Sequence, residues 1–316
     1  MSEFDPAIAC RLLKACEVLY SIGLGGAKTS PYYPGAGFLA PPAVHRAGRN
    51  SIDACLIGRT TVGAVLAFRG TVLLRAGAHF CQSIDDWMSD FRLELRAVDG
   101  LPGKVHIGLA HSLANLWPDL RRDVLELTRD GTPLYVTGHS KGALLASYAA
   151  LRLALNEGVD VRAVYVFGSP GVGNTEFADH YDRTITRHWR IEGCHDIVPF
   201  FDIVVPCIRF RRWWTRRPDS YDYRQVGRLK YIDATDTLVD DSPGLRRRRR
   251  ARLLADLLFR NAVTAHLLPW GYLGGVCHER PHPASPHAPY GHAAPMAAVR
   301  CVLHRLWRLA KGFARK

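Results

Sequence analysis

Ser140 lies at the centre of the stretch YVTGHSKGALLASYAA, two residues from a glycine on either side. The apolar residues before it, Leu134–Thr137, are typical of a short buried strand, and Lys141–Leu155 are typical of a buried helix. A serine on a sharp strand-to-helix turn presents its hydroxyl for attack, and the flanking glycines leave room for the bend. The pattern therefore predicts that Ser140 is a nucleophile, with an ordinary glycine-bracketed turn as the alternative.

Ser169 is a second serine that follows an apolar run, in the stretch FGSPG. Pro170 comes directly after it and has no backbone N–H, so a donor that would help to hold a developing oxyanion is missing there. We therefore interpret Ser169 as a structural residue.

A nucleophilic serine needs a histidine that takes its proton and a carboxylate that orients the imidazole ring. After a serine on such a turn, the carboxylate comes first along the chain and the histidine second. Asp196, in GCHDIVPF, comes where the apolar run ITRHWRI gives way to a loop, and His266 follows in NAVTAHLLPWGY. We predict these two as the partners of Ser140. The other candidates lie in or beyond a segment expected to be flexible, and they are His278, His282, His287, His292 and His304.

The elements around these residues predict an α/β protein. Residues 6–22 have the apolar spacing of a helix. The stretch that begins with LPGKVH is expected to start with a turn and become a helix, with apolar positions from Leu109 to Leu127. Short, continuous apolar runs alternate with helices, which is typical of a mostly parallel central sheet with helices on both faces. We expect one domain over 1–276, then a Pro- and His-rich linker (277–296) and a basic amphipathic C-terminal helix (297–316).

The composition is that of a globular chain with a strong positive charge, since 42 Lys and Arg stand against 29 Asp and Glu, a net charge of +13. Such a charge favours anionic partners without specifying a fold. No apolar run approaches the roughly 18 residues that a membrane-spanning helix requires. Glu3 and Asp5 stand where a secretory signal carries basic residues. We therefore expect a cytoplasmic or peripheral membrane protein, with leaderless export left open.

The eight cysteines form no CxxC pair and no metal-ligand spacing. We expect free, buried thiols in a reducing compartment. No metal ion and no other cofactor is expected.

Two basic stretches have no obvious catalytic use. RFRRWWTRRPD, at 209–219, interleaves arginines with two tryptophans, and the helix predicted at 297–316 has one apolar and one basic side. Such a helix either lies in an anionic membrane surface or docks its apolar side on the protein body. No nucleic-acid-binding module accompanies the charge, so we expect no nucleic-acid partner.

The motifs from about Val62 to Tyr272 resemble, in sequence order, those of the class 3 (fungal-type) triacylglycerol lipases of the α/β-hydrolase superfamily. The similar segments are VLAFRGT (65–71), DDWMSD (85–90), KVHIGLAHSL (104–113), VTGHSKGALLAS around Ser140, VFGSPGVGN (166–174), HDIVP (195–199) and AHLLPWGY around His266. The resemblance implies an α/β-hydrolase fold with a lid segment, and hydrolysis of lipid esters.

The resemblance also implies residues that surround the nucleophile. The backbone N–H groups of Thr71 and Lys141, with the Thr71 hydroxyl, would form the oxyanion hole. Asp90 would hold the Thr71 hydroxyl, and Trp87 belongs to the lid region. The side chain of Lys141 is expected to be solvated. The sequence departs from the family in a longer lid segment, in Gln225 where the family often has histidine, and in an arginine-rich insertion over 234–262.

These residues together predict a serine carboxylic-ester hydrolase that acts on lipid esters through Ser140, Asp196, His266 and an acyl-enzyme intermediate. A phospholipase acting on anionic membranes is an alternative with the same chemistry. A non-catalytic membrane- or anion-binding protein that retains the fold is the alternative from another class.

Overall fold

The computed structural model describes residues 3–22, 26–48, 53–71, 94–201, 213, 218–259 and 265–285. The expected lid residues Trp87 and Asp90 lie outside the described residues, as do the predicted C-terminal helix and most of the basic stretch 209–219. Within the described ranges, no helix is both long and apolar enough to cross a bilayer.

The described part of the chain contains ten strands, of which eight form one central sheet. The strands are β1 (Ala43–Ala47), β2 (Asp53–Thr60), β3 (Gly63–Phe68), β4 (Leu95–Val98), β5 (Leu101–His106), β6 (Leu134–His139), β7 (Val161–Phe167), β8 (His188–Gly193), β9 (Arg228–Ile232) and β10 (Leu238–Asp240). The order across the central sheet is β1-β2-β3-β6-β7-β8-β9-β10, and β4 pairs with β5 in a separate hairpin.

The middle of the sheet is parallel, as the sequence predicts. Strands β3, β6, β7, β8 and β9 run in one direction, and antiparallel strands flank them on both sides. Every residue of β3 and β6 is buried, because helices cover both faces of these continuous apolar strands. The carboxyl ends of parallel strands meet at one edge of a sheet. The loops that hold Thr71, Ser140, Gly168 and Asp196 therefore leave the sheet at the same edge.

The helices are α1 (Pro6–Ser21), α2 (Tyr33–Ala36), α3 (Ile107–Thr128), α4 (Lys141–Glu157), α5 (Thr175–Thr184), α6 (Pro243–Phe259), α7 (Leu268–Gly271) and α8 (Leu273–Cys277). One face of the sheet packs on α3, α4 and α5 in a single apolar core. The opposite face packs on α1, α7 and α8 in a second core. This arrangement confirms the predicted α/β-hydrolase architecture of a mostly parallel sheet between two helical layers.

The turn predicted for LPGKVH is wrong, because these residues form β5. Leu95 pairs with His106 and Arg96 with Val105 across the hairpin. Gly103 adopts a φ of +64°, and a Cβ there would stand 2.5 Å from the backbone nitrogen of Phe177. Pairing with β4 and the close approach of α5 therefore determine that these residues form a strand. The secondary-structure propensities of the residues themselves do not predict either contact.

Residues 278–285, the first part of the predicted linker, lie against the N-terminal helices. The Lys14 ammonium is 2.6 Å from the Glu279 carboxylate, and the Ser285 hydroxyl donates to Glu17 over 2.5 Å. The His282 backbone N–H donates to the Tyr32 hydroxyl over 2.9 Å. Ordered contacts therefore continue beyond residue 276.

Cys10 in α1 and Cys277 at the end of α8 form a disulfide bond. The expectation of free thiols is therefore wrong for these two residues, which the chain brings together across a sequence separation of 267 residues. Cys16 and Cys55 are free and buried, as expected. Burial raises the pKa of the Cys16 thiol to about 12, so that it stays protonated at neutral pH.

We expect the disulfide to contribute measurably to the free energy of unfolding. In the chain-entropy account, closing so long a loop stabilises a fold by up to about 5 kcal/mol. Reductant should lower the melting temperature of the wild type and leave that of the double variant Cys10→Ser/Cys277→Ser unchanged. Calorimetry measures both, and equal melting of the wild type with and without reductant would contradict the pairing.

Candidate active site

Ser140 occupies a strained turn between β6 and α4. Its backbone has φ 57° and ψ −125°, a region that residues with a side chain rarely adopt. Such a conformation costs on the order of 1–3 kcal/mol and persists only where surrounding contacts fix it. Here the Ser140 N–H donates to the Phe167 carbonyl over 3.0 Å, and the Ser140 carbonyl accepts from the Ala143 N–H over 2.9 Å. The strand–turn–helix context predicted for this serine is present.

The two glycines that bracket Ser140 stand where no side chain fits. A Cβ on Gly138 would lie 2.1 Å from the Gly142 carbonyl oxygen. A Cβ on Gly142 would lie 2.3 Å from the Phe68 carbonyl oxygen, at the end of β3. The glycines thus allow α4 to begin directly against the neighbouring strand, which gives the turn its sharpness.

Asp196 and His266 form a buried hydrogen-bonded pair. The distance between His266 Nδ1 and Asp196 Oδ2 is 2.8 Å, and the aspartate side chain has no exposed surface. Asp196 lies in the loop after β8, where its Oδ1 accepts from the Val198 N–H over 2.8 Å. The sequence predicts that the two residues belong to one site, and in the structure their side chains are hydrogen-bonded to each other.

Tyr272 supplies a further donor to the same carboxylate. Its hydroxyl, fully buried between α7 and α8, donates to Asp196 Oδ2. Burial, together with the nearby charge of Asp196, raises the pKa of Tyr272 well above its ordinary value. The phenol therefore remains protonated and stays a donor. With Val198 N–H and His266, it leaves the buried carboxylate hydrogen-bonded on both oxygens.

The second ring nitrogen of His266, Nε2, is buried and has no hydrogen-bond partner in the described part of the chain. Gly168, at the end of β7, makes space beside this ring. A Cβ there would stand 2.9 Å from His266 Cε1 and 2.7 Å from Asp196 Oδ2, and the φ of Gly168 is +57°. With Nδ1 bonded to Asp196, Nε2 is the ring nitrogen left to exchange a proton with another group.

His139, next to the serine, connects the Ser140 turn to the segment that carries His266. The rings of His139 and His266 are 4.6 Å apart between centroids. His139 Nε2 lies 2.8 Å from the His266 carbonyl oxygen, and since a carbonyl only accepts, Nε2 carries the hydrogen. His139 Nδ1 is hydrogen-bonded to the Tyr20 hydroxyl over 2.7 Å. Tyr20 of α1 and His139 therefore fix the backbone of His266 relative to Ser140.

The proposed oxyanion donors lie on either side of this turn. A Cβ on Gly70 would stand 3.3 Å from Ser140 Cβ, so the segment that carries Thr71 passes directly beside the serine. Lys141 is the first residue of α4, where backbone N–H groups have no partner within the helix. Neither Trp87 nor Asp90 falls among the described residues, and their roles stay predictions.

The expectation that the Lys141 side chain is solvated is wrong. Its ammonium lies 2.7 Å from Asp53 Oδ1, and both side chains are buried. Asp53 begins β2, which is distant in the sequence, so nothing near Lys141 predicts the ion pair. The salt bridge holds the start of α4 against the sheet and directs the ammonium away from solvent.

Ser169 is buried and its hydroxyl donates to the Pro170 carbonyl over 2.9 Å. Its own carbonyl accepts from Gln225 Nε2 over 3.1 Å, and the same Gln225 nitrogen donates to the Pro199 carbonyl over 3.0 Å. Gln225 thus connects the loop after β7 with the loop that carries Asp196. In the described ranges, no three His, Cys, Asp or Glu side chains are grouped as a metal ion requires.

Residues 65–205 match the family model described as Lipase (class 3). This segment belongs to the class 3 lipase family. It extends from β3 to the loop beyond Asp196 and includes the Ser140 turn. His266 and Tyr272 lie outside the matched range, so their assignment depends on the geometry described above.

Curated relatives share short stretches with this class 3 lipase segment. The secreted mono- and diacylglycerol lipase MDL3 of Malassezia globosa is 37% identical over 67 residues, which is 21% of this chain and 22% of the relative. Lipase ZK262.3 of Caenorhabditis elegans is 39% identical over 69 residues, 21% of this chain and 19% of the relative. The chain thus spans about a fifth of the length of these relatives.

Solved structures extend the similarity over most of the fold. A triacylglycerol lipase described as having a serine protease triad as its catalytic centre has a TM-score of 0.62 at 18% identity, covering 85% of this chain and 96% of that chain. The Rhizomucor miehei triacylglyceride lipase has a TM-score of 0.55 at 20% identity, covering 72% and 80%. At such identities the likeness shows the α/β-hydrolase fold.

Sequence reasoning on the class 3 lipase motifs missed Tyr272, Tyr20 and His139. Tyr272 ends the motif AHLLPWGY but carries no local sign that it reaches a carboxylate. Tyr20 is one of many residues on the apolar side of α1. Only His139, directly before the serine of the GxSxG pentapeptide, could have drawn attention, because a polar side chain next to a buried turn needs a partner.

We expect Tyr272→Phe to slow the reaction of Ser140 with a fluorophosphonate by on the order of tenfold, since the Asp196 carboxylate loses a charge-assisted hydrogen bond. The matched control is Tyr181→Phe, which removes another buried hydroxyl, 2.8 Å from His188 Nδ1. Stopped-flow or gel-based labelling gives both rates. Equal rates for the two variants would show that the Tyr272 hydroxyl does not support the site.

Proposed function

We propose that the protein is a serine carboxylic-ester hydrolase that acts on lipid esters through Ser140, His266 and Asp196. The observation that carries this proposal is the buried Asp196–His266 hydrogen bond, at 2.8 Å, at the sheet edge where the strained Ser140 turn lies. A hydroxyl, an imidazole with one unpaired nitrogen and an orienting carboxylate are the parts that acyl transfer needs.

Ser140 Oγ attacks the ester carbonyl carbon as His266 Nε2 takes the hydroxyl proton. The buried Asp196 carboxylate stabilises the resulting imidazolium through Nδ1–H and keeps the ring oriented. The tetrahedral intermediate then expels the alcohol, to which His266 returns the proton. Water, deprotonated by the same histidine, attacks the acyl-enzyme, and a second tetrahedral intermediate releases the carboxylic acid and restores Ser140.

Negative charge that develops on the carbonyl oxygen would be held by the backbone N–H groups of Lys141 and Thr71. The first belongs to the unpaired N–H groups at the start of α4, whose dipole adds a favourable field. The second follows Gly70, which lies beside Ser140. Asp90 would orient the Thr71 hydroxyl and Trp87 would belong to the lid, as the family resemblance implies. Each donor in such a site contributes on the order of 10²–10³ in rate.

Lipid esters are the proposed substrates because the matched family and relatives are lipases, two of which carry the printed description of mono- and diacylglycerol lipase. Phosphoglycerides are a second candidate, which the net charge of +13 favours. The basic helix that the sequence predicts at 297–316 is proposed as a contact with anionic membranes. The Cys10–Cys277 disulfide favours an oxidising environment over the reducing one expected from the cysteine pattern.

Ser140→Ala is expected to lower the hydrolysis of a short p-nitrophenyl ester at least about a thousandfold, because it removes the proposed nucleophile. Ser169→Ala is the matched control. It removes a buried hydroxyl that donates to the adjacent Pro170 carbonyl, and it should leave the rate within about twofold. If Ser140→Ala retained wild-type hydrolysis, the triad assignment would fail. A wild type without any esterase activity would favour the non-catalytic alternative.

A further inference from the structure

Helix α6 carries five consecutive arginines, Arg246–Arg250, and lies in the insertion over 234–262, which has no predicted catalytic role. Three of them are exposed and have no ion-pair partner among the described residues, and we call Arg247, Arg248 and Arg250 the arginine face. Arg246 differs from these three because it forms an ion pair with Asp241. So concentrated a positive charge on an ordered helix raises the question of which anionic ligand it binds.

Two residues one helical turn apart fix α6 to the sheet. Leu245 is buried against Leu229 and Tyr231 of β9. Arg249 is buried, and its guanidinium donates to Glu192 of β8. The same guanidinium lies 5.0 Å from the centroid of the Tyr231 ring. The arginine face therefore projects from a docked helix and is not part of a free tail.

The Arg249 anchor places this helix beside the catalytic loop. Its guanidinium lies 4.8 Å from the ring centroid of Phe200, in the short turn that follows Asp196. Glu192, the partner of Arg249, lies in β8 just before the same loop. Burial lowers the pKa of Arg249 to about 10, which leaves it charged at neutral pH. The positively charged helix α6 is thus adjacent to the loop that carries Asp196.

Like charges three and four residues apart on a helix repel one another and destabilise it. In this chain, Arg246 and Arg252 are offset by nearby carboxylates, since Arg246 pairs with Asp241 and Arg252 helps to lower the pKa of Asp233. The three residues of the arginine face have no such carboxylate partner in the described ranges of the chain. An external anion would offset their repulsion, and guanidinium groups bind phosphate oxygens in paired, planar hydrogen bonds.

We propose that the arginine face binds the phosphate groups of an anionic phosphoglyceride surface and brings the active-site rim against that surface. This inference rests on the proposed hydrolysis of lipid esters, because a substrate held in a membrane has to be met at an interface. An RNA backbone presents the same charge, but the position of α6 next to Asp196 favours the surface that contains esters.

The test is sedimentation with vesicles of phosphatidylcholine alone or of phosphatidylcholine with phosphatidylglycerol, using the full chain in the Ser140→Ala background. The surface variant is Arg247→Gln/Arg248→Gln/Arg250→Gln. Each basic residue near an anionic surface contributes about fivefold in binding, so the triple change should weaken partitioning to phosphatidylglycerol vesicles about a hundredfold. Added salt should weaken binding of the parent more than that of the variant.

The matched control removes the same charge elsewhere, as Arg129→Gln/Arg162→Gln/Arg183→Gln. These arginines are exposed and lie just before β6, within the start of β7 and just before β8, at the opposite edge of the sheet from Ser140. Binding by this control should stay within a few fold of the parent. Equal losses in both variants would show a net-charge effect and overturn the proposal.

Two further results would also overturn it. One is undiminished vesicle binding by the surface variant, and the other is a loss of affinity for an RNA duplex with vesicle binding unchanged. Hydrolysis of a soluble short-chain ester, measured with Ser140 intact, separates this test from the function itself. The surface variant should hydrolyse that ester at the wild-type rate. A wild type that does not hydrolyse the ester would contradict the proposed function. The vesicle experiment would still decide whether the arginine face binds anionic lipid.

Discussion

The hydrogen bond between His266 and Asp196 is the contact on which the arrangement of the site depends. It joins a loop at the end of β8 to a segment that lies 70 residues further along the chain. A buried carboxylate is costly unless its oxygens are hydrogen-bonded, and here Val198 and Tyr272 complete that requirement. The low-dielectric surroundings of Asp196 strengthen its interaction with the imidazole relative to the same contact in water.

The rest of the fold positions this pair near the turn that carries Ser140. The parallel strands deliver the serine, Gly168 and Asp196 to one edge, and Tyr20 of α1 reaches His139 and through it the His266 carbonyl. The Cys10–Cys277 disulfide links α1 to the helix that follows Tyr272. Both helical contacts act on the His266 segment, which is the part of the site that comes from outside the matched lipase segment.

The sequence predicts the sheet and the serine turn well because their signals are local. The glycines around Ser140 and the continuous apolar strands reflect sterics and burial within a few residues. His266 could be selected by chain order and by its position before the segment that the sequence predicts to be a linker. The ion pair of Lys141 with Asp53, the disulfide and the Tyr272 donor join residues far apart in the chain, so periodicity and spacing carry no information about them. The packing of α6 on the sheet could not be predicted for the same reason, because Glu192 and Arg249 are far apart in the sequence although their side chains are in contact.

Trapping the acyl-enzyme tests the central claim most directly. The protein would be quenched in acid during turnover of a short-chain ester and digested, and its peptides would be weighed by mass spectrometry. The account predicts an acyl group on the peptide that contains Ser140, and its absence after His266→Ala. Continued hydrolysis with Ser140 unmodified, or an acyl group on another residue, would contradict it.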